Sequence, residues 1–112
     1  MSRSSKPQLT ARQLRGITAL RPKLAIQLGS GFKGFADAMK VDEQISYEKI
    51  KGFPRAAVPG HEGSLILGRI GRTPIAVLSG RAHFYEGHDM AEITFPVRAM
   101  AAFGVETLLL TN

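Results

Sequence analysis

A short, mostly apolar run that breaks off into glycine constrains this chain more than any other feature. Leu24 to Leu28 (LAIQL) is followed at once by Gly29-Ser30-Gly31. Such a run is too short for a typical helix and long enough for a buried strand, and the glycines behind it fit a sharp turn out of a sheet. Leu65 to Ile70 and Pro74 to Leu78 are two further apolar runs, and Gly71-Arg72-Thr73 between them predicts a hairpin. Val105 to Thr111 (VETLLLT) predicts a last strand, and Ile45 to Tyr47 a brief one. Thr10 with Gln13 three residues on matches a capping box, and Leu14, Ile17 and Leu20 give a narrow apolar stripe ended by Pro22. Phe32 to Lys40 predicts a short helix. A longer helix starts from a cap at Asp89 and Glu92, runs to Phe103 and stops at Gly104. Pro96 either kinks that helix or marks its first turn. Residues 51–63 and 80–89 read as loops, and 1–9 as disordered. Short apolar strands alternating with helices predict an α/β fold whose sheet is at least partly parallel.

The chain has 112 residues, enough for one small domain. No apolar stretch reaches the roughly 18–20 residues of a membrane-spanning helix. With no cysteine, disulfide scaffolds, thiolate metal sites and cysteine nucleophiles are excluded, and the composition suits a reducing cytoplasm. The net charge of +6 resides entirely in residues 1–23, which hold Arg3, Lys6, Arg12, Arg15, Arg21 and Lys23 and no acid. Residues 24–112 balance nine basic against nine acidic groups. A nucleic-acid reader more often carries its excess on the folded surface, so the stretch reads as a solvated lead-in, with a transit peptide as the functional alternative.

Three stretches could carry chemistry. Gly29-Ser30-Gly31-Phe32-Lys33-Gly34 spells G-x-G-x-x-G after a strand, but the acidic residue that a dinucleotide site needs about twenty positions on is missing. A smaller role fits better: backbone N–H groups and the Ser30 hydroxyl around a single anion. The same letters also describe a tight turn with no ligand. In Gly80 to Gly87 (GRAHFYEG), extended backbone would project Arg81 and His83 to one side, the guanidinium as a planar fork for phosphate oxygens and the imidazole as a second donor. Tyr85 adds an aromatic wall and a hydroxyl, and Glu86 is suited to orient the His83 ring. In Pro59 to Gly63, His61 stands between glycines, either as part of a loop that closes on a ligand or as an exposed turn residue. His83, Glu86, His88 and Asp89 are good metal-ligand types, but their spacing matches neither H-E-x-x-H nor H-x-x-E-H, so no metal site is assigned. Ser30 lacks the G-x-S-x-G elbow of a serine nucleophile.

Taken in order, LGSGF (28–32), FPRAAVPGHEG (53–63), GRAHFYEGHD (80–89) and TFPVRAMAAFGVETLLLTN (94–112) resemble the N-terminal part of the trimeric purine nucleoside phosphorylases. The related methylthioadenosine phosphorylases share the fold, but the G-S-G turn and G-R-x-H-x-Y-E-G are closer to the purine nucleoside group. The resemblance divides the chain into a basic tail with a short helix over 1–23 and the N-terminal part of a phosphorylase domain over 24–112. It implies an α/β fold, here a partial mixed-sheet nucleoside phosphorylase (phosphorylase/hydrolase-like) fold. The implied reaction is phosphorolysis of purine ribonucleosides and deoxyribonucleosides to the free base and the pentose 1-phosphate. Inorganic phosphate is the co-substrate, no metal or organic cofactor is needed, and the full-length enzymes are homotrimers. Neither nucleic acid nor membrane is an implied partner.

By the same resemblance, phosphate contacts fall on Ser30, His61, Arg81, the main chain of Ala82, and His83. Tyr85 contacts the sugar hydroxyl, and His83 with Glu86 forms the catalytic pair. Asn112 opens the family's T-N-A-A-G-G loop. Lys33 departs from the family's usual glycine. The family's purine-recognising glutamate and asparagine and its second phosphate serine have no counterparts within these 112 positions. The sequence thus predicts the phosphate-holding half of a site, inactive alone, with an apolar face around Val105 to Leu110 exposed and prone to association. A non-catalytic anion-binding or interaction module is the alternative, and a dinucleotide-binding domain a weaker one.

Overall fold

A computed structural model describes residues 6–28, 37–53, 63–79 and 90–111, with the backbone alone described for 90–93. The apolar runs meet in one five-stranded sheet. Its strands are β1 (Leu24–Leu28), β2 (Lys40–Ser46), β3 (Ser64–Ile70), β4 (Thr73–Ser79) and β5 (Thr107–Leu110), ordered β2-β3-β4-β1-β5. β1 pairs in parallel with β4 and β5, while β2-β3 and β3-β4 are antiparallel, so the sheet is mixed. The expected hairpin is present, with Ile70 opposite Thr73 across the two-residue loop Gly71-Arg72.

Helices α1 (Pro7–Ile17) and α2 (Met90–Phe103) pack against each other and share one core cluster with the sheet. That cluster takes Ala11 and Leu14 from α1, Phe95, Ala99, Met100 and Phe103 from α2, and Ala25, Leu65, Leu67, Ala76 and Leu78 from the strands. The alternate strand residues Ile26, Leu28, Ile66, Ile75 and Val77 gather with Met39 in a second cluster on the opposite face. Strands with apolar residues on both faces are what a sheet buried on both sides demands, and here the antiparallel β3 shares the pattern with the parallel-paired β1 and β4.

The N-terminus of α1 differs from the expected capping box. The N-cap is Lys6, without a side-chain cap, and Pro7 opens the helix. Thr10 and Gln13 lie inside it and make tertiary bonds instead. The Thr10 hydroxyl donates to the Lys51 carbonyl at 2.6 Å, and Gln13 accepts from Lys51 N at 2.9 Å while donating to the Lys49 carbonyl at 2.8 Å. Replacing Thr10, fully buried, with valine keeps the shape and removes the donor. The expected cost is about 1–3 kcal/mol, read from urea unfolding; no change would mean that water satisfies Lys51 equally well. Ile17 is partly exposed, so the buried side of α1 is Thr10, Ala11 and Leu14 rather than the predicted stripe.

The second difference is β2. Asp37 and Ala38 form a turn and Lys40 already belongs to a strand, so the predicted helix does not extend over 37–40; positions 32–36 lie outside the described residues. β2 is longer than the expected Ile45–Tyr47 because its first five residues are exposed and bond to β3 through backbone, with a bulge between Val41 and Glu43. An exposed edge strand leaves no apolar alternation to read. Tyr47 begins a 3-10 turn (Tyr47–Lys49), and the Ser46 hydroxyl accepts from Glu48 N.

α2 ends as predicted. Gly104 has φ +118°, its N–H bonds to the Ala101 carbonyl, and Val105 N–H reaches the Met100 carbonyl at 3.0 Å, the paired bonds of a Schellman stop. Pro96 lies inside α2 rather than in its first turn. Several N-terminal basic residues have structural partners: Arg15 donates to the Ala102 carbonyl, Arg21 to the Thr18 and Leu20 carbonyls, and Lys23 pairs with Glu106. β5 is the outer strand, and Leu109 and Leu110 are 49% and 68% exposed. Among the described residues, no helix is long and apolar enough to cross a membrane.

Candidate active site

Strand direction determines what the sheet brings together. β1, β4 and β5 run the same way and end at one edge, with Leu28 opposite Ser79 and Gln27 opposite Leu110. β3 runs against them and begins at this edge, where Ser64 pairs with Ser79 on one side and Ser46 on the other. Thr111 continues the line: its backbone N–H and its hydroxyl both donate to the Gln27 carbonyl, at 2.9 and 3.2 Å.

The chain leaves the sheet at this edge after Leu28, after Ser79 and after Thr111, and enters it before Ser64. The four stretches attached there are 29–36, 80–89, 112 and 54–62. They hold the candidate residues of the sequence: Ser30; Arg81, Ala82, His83, Tyr85 and Glu86; Asn112; and His61. All of these, with Lys33, Asp89 and the remaining histidine, His88, lie outside the described residues. Among the described residues no cluster of three or more His, Asp or Glu could hold a metal. The carboxyl ends of parallel strands are where open α/β sheets bind ligands.

The described part of the edge contains a packed joint that the motifs do not reveal. Tyr47, at the end of β2, is 5% exposed, and its backbone N–H donates to the Gly63 carbonyl at 3.0 Å. Its ring meets Phe53 edge-on at 5.0 Å, and Phe53 meets Phe95 at 6.2 Å. Gly63 is buried against that ring: a Cβ there would lie 2.5 Å from Tyr47 Cε2 and 2.8 Å from the Ser79 carbonyl oxygen. The signal in the sequence was the spacing of Tyr47, Ile50 and Phe53, three apolar rings and chains three apart, all buried.

Burial pushes the Tyr47 hydroxyl pKa above its usual value. A native-state pKa above the unfolded one protects the protein below the unfolded value of about 10, and that protection drains away as pH rises through the native value. Stability is therefore expected to fall by about 1.4 kcal/mol per pH unit above pH 10 from this group alone. Urea midpoints measured upward from pH 8 should diverge between the natural chain and Tyr47→Phe, the variant falling less steeply. Parallel curves would show that the hydroxyl reaches water.

The sequence profile of the phosphorylase superfamily matches residues 23–112. The chain belongs to the phosphorylase superfamily, and its similarity within it is to the purine nucleoside phosphorylases. Purine nucleoside phosphorylase 1 of Bacillus subtilis is 45% identical over 91 residues, covering 81% of this chain and 34% of the relative. The bovine purine nucleoside phosphorylase is 39% identical over 105 residues, 94% of this chain and 36% of the relative. The crystal structure of Schistosoma mansoni purine nucleoside phosphorylase in complex with inosine superposes with a TM-score of 0.83 at 35% identity, over 95% of this chain and 37% of that one. The chain thus spans about a third of the length of the curated relatives it matches.

Proposed function

We propose that these residues form the phosphate-holding part of a purine nucleoside phosphorylase, acting on purine ribonucleosides and deoxyribonucleosides to release the base and the pentose 1-phosphate. The observation that carries this is the common edge: four stretches, far apart in sequence, attach there side by side, three after the co-directional strands β1, β4 and β5 and one before the antiparallel β3. Ser30 is two positions beyond Leu28, Arg81 two beyond Ser79, and His61 three before Ser64. Chain connectivity alone keeps such residues within about 7–11 Å of their strand ends. The relatives are named for this activity, and solved ones hold inosine or, with cytosine, ribose-1-phosphate.

In the proposed mechanism, Ser30, His61, Arg81, the Ala82 main chain and His83 hold a phosphate dianion beneath the sugar. Glycosidic cleavage leaves positive charge on the ring, and the fixed dianion both stabilises that charge and attacks the anomeric carbon as the base departs. Tyr85 steadies the sugar through its hydroxyl, and Glu86 holds the His83 ring in place. Phosphate enters as co-substrate, with no metal or organic cofactor. The enzyme works in the cytoplasm as a homotrimer. The 112 residues on their own hold phosphate and turn over nucleoside weakly or not at all.

Titrating the chain with inorganic phosphate and following the phosphorus resonance tests this. Saturable broadening that competition with sulfate reverses is expected; a phosphate signal untouched by the protein would refute the assignment. Inosine phosphorolysis by the same sample measures how much catalysis these residues retain.

A further inference from the structure

We infer that Gly63 is a positioning residue that locks the stretch bearing His61 to the stretch bearing Arg81 and His83. The inference rests on the proposed phosphate site and adds to it a residue that touches no substrate. Gly63 is the point where 54–62 enters the sheet, and it is buried between two other strand ends. On one side its carbonyl takes the Tyr47 N–H at 3.0 Å, and the Tyr47 ring covers its Cα. On the other side lies the carbonyl of Ser79, the last residue of β4 before Gly80 and Arg81.

A side chain at 63 would meet both neighbours at once, 2.5 Å from the ring and 2.8 Å from the carbonyl oxygen. The ring is not free to retreat into open space: it is buried in the core cluster, with Phe53 edge-on at 5.0 Å and Phe95 at 6.2 Å from Phe53. The carbonyl belongs to backbone in the β3-β4 ladder, with Ser64 and Ser79 paired. An added methyl must therefore push the start of β3 away from the end of β4. That separates the two chain exits whose side chains share one anion in the proposed site. Because Tyr47, Phe53 and Phe95 belong to the core cluster, the shift also costs stability, and the affinity of the folded fraction is what reports the change in ligand geometry.

Gly68 supplies the control. A Cβ there would collide with the carbonyl of Lys40, where the outer strand β2 begins, at least as crowded and toward the opposite end of β3 from Ser64. Phosphate titrations of the full 112-residue chain would compare the natural sequence with Gly63→Ala, Gly68→Ala and Arg81→Ala, each corrected for the folded fraction from its melting curve. Gly63→Ala should weaken phosphate binding ~10- to 100-fold. Gly68→Ala, although destabilised, should stay within about twofold, as distant sites do. The imidazole resonances add a readout that general destabilisation does not move: His61 and His83 both shift with phosphate in the natural chain, and in Gly63→Ala only His83 should.

If Gly63→Ala binds like the natural chain while Arg81→Ala does not, the positioning role is wrong and the phosphate site stands. If the natural chain binds no phosphate, both fall. Should Gly63→Ala fail to fold, Tyr47→Leu loosens the same joint from its other side; full phosphate affinity in that variant would overturn the inference, and a several-fold loss would support it.

Discussion

Arg81→Ala is expected to abolish phosphate binding within any practical concentration range. Arginine is the one side chain in the candidate set whose charge cannot be lost at accessible pH, and its planar fork pairs with two phosphate oxygens at once. Serine and the main chain contribute neutral donors. Removing the guanidinium therefore takes away the fixed positive charge as well as two hydrogen bonds. By analogy with single donors deleted from oxyanion sites, the loss is about 3–4 kcal/mol, a factor of several hundred. Arg81→Lys keeps the charge and loses the fork, so it should fall between the two. The check is the phosphate dissociation constant at low ionic strength. An Arg81→Ala chain that binds phosphate normally would move the anion away from the GRAHFYEG stretch altogether.

The second large effect concerns the fold. Phe103→Ala should cost about 3–5 kcal/mol, the range for a buried aromatic ring cut back to a methyl. Phe103 is 1% exposed, closes the last turn of α2, and lies in the cluster that joins both helices to the sheet. The Arg21 guanidinium sits 6.0 Å from its ring centre, so the truncation also loosens the segment linking α1 to β1. Domains of this size are held by roughly 5–15 kcal/mol in total, so the variant should be partly unfolded at physiological temperature. Urea midpoints and melting temperature give the answer. A loss below about 1 kcal/mol would mean that the helices close over the cavity without strain.

How much of this could be read from the letters differs by element. β1, β3 and β4 were legible because their residues are apolar on both faces, and short apolar runs bounded by glycine have few other uses. The stop of α2 was legible because Gly104 is the residue that a left-handed helix end requires. β2 was not, because KVDEQ earns its place in the sheet through backbone bonds to β3, which leave no mark on side-chain pattern. The start of α1 was misread for a related reason. Thr10 and Gln13 have the letters of a cap, but their hydrogen bonds go to Lys49 and Lys51, some forty positions away. Local spacing cannot distinguish a cap from a tertiary bond by the same residue types. The candidate phosphate motifs lie outside the described residues; what the sheet shows is that the strand ends to which those stretches attach are neighbours in the register.

The opposite rim of the sheet has a practical use. The Gly71-Arg72 loop turns there, at the far end of β3 and β4, with Arg72 exposed. Seven-residue strands separate it from the other edge by about 20 Å. Since the natural chain has no thiol of its own, a lone cysteine introduced at Arg72 would accept a single dye or bead linkage. Fluorescence or force could then be applied from a point that leaves the opposite rim unobstructed.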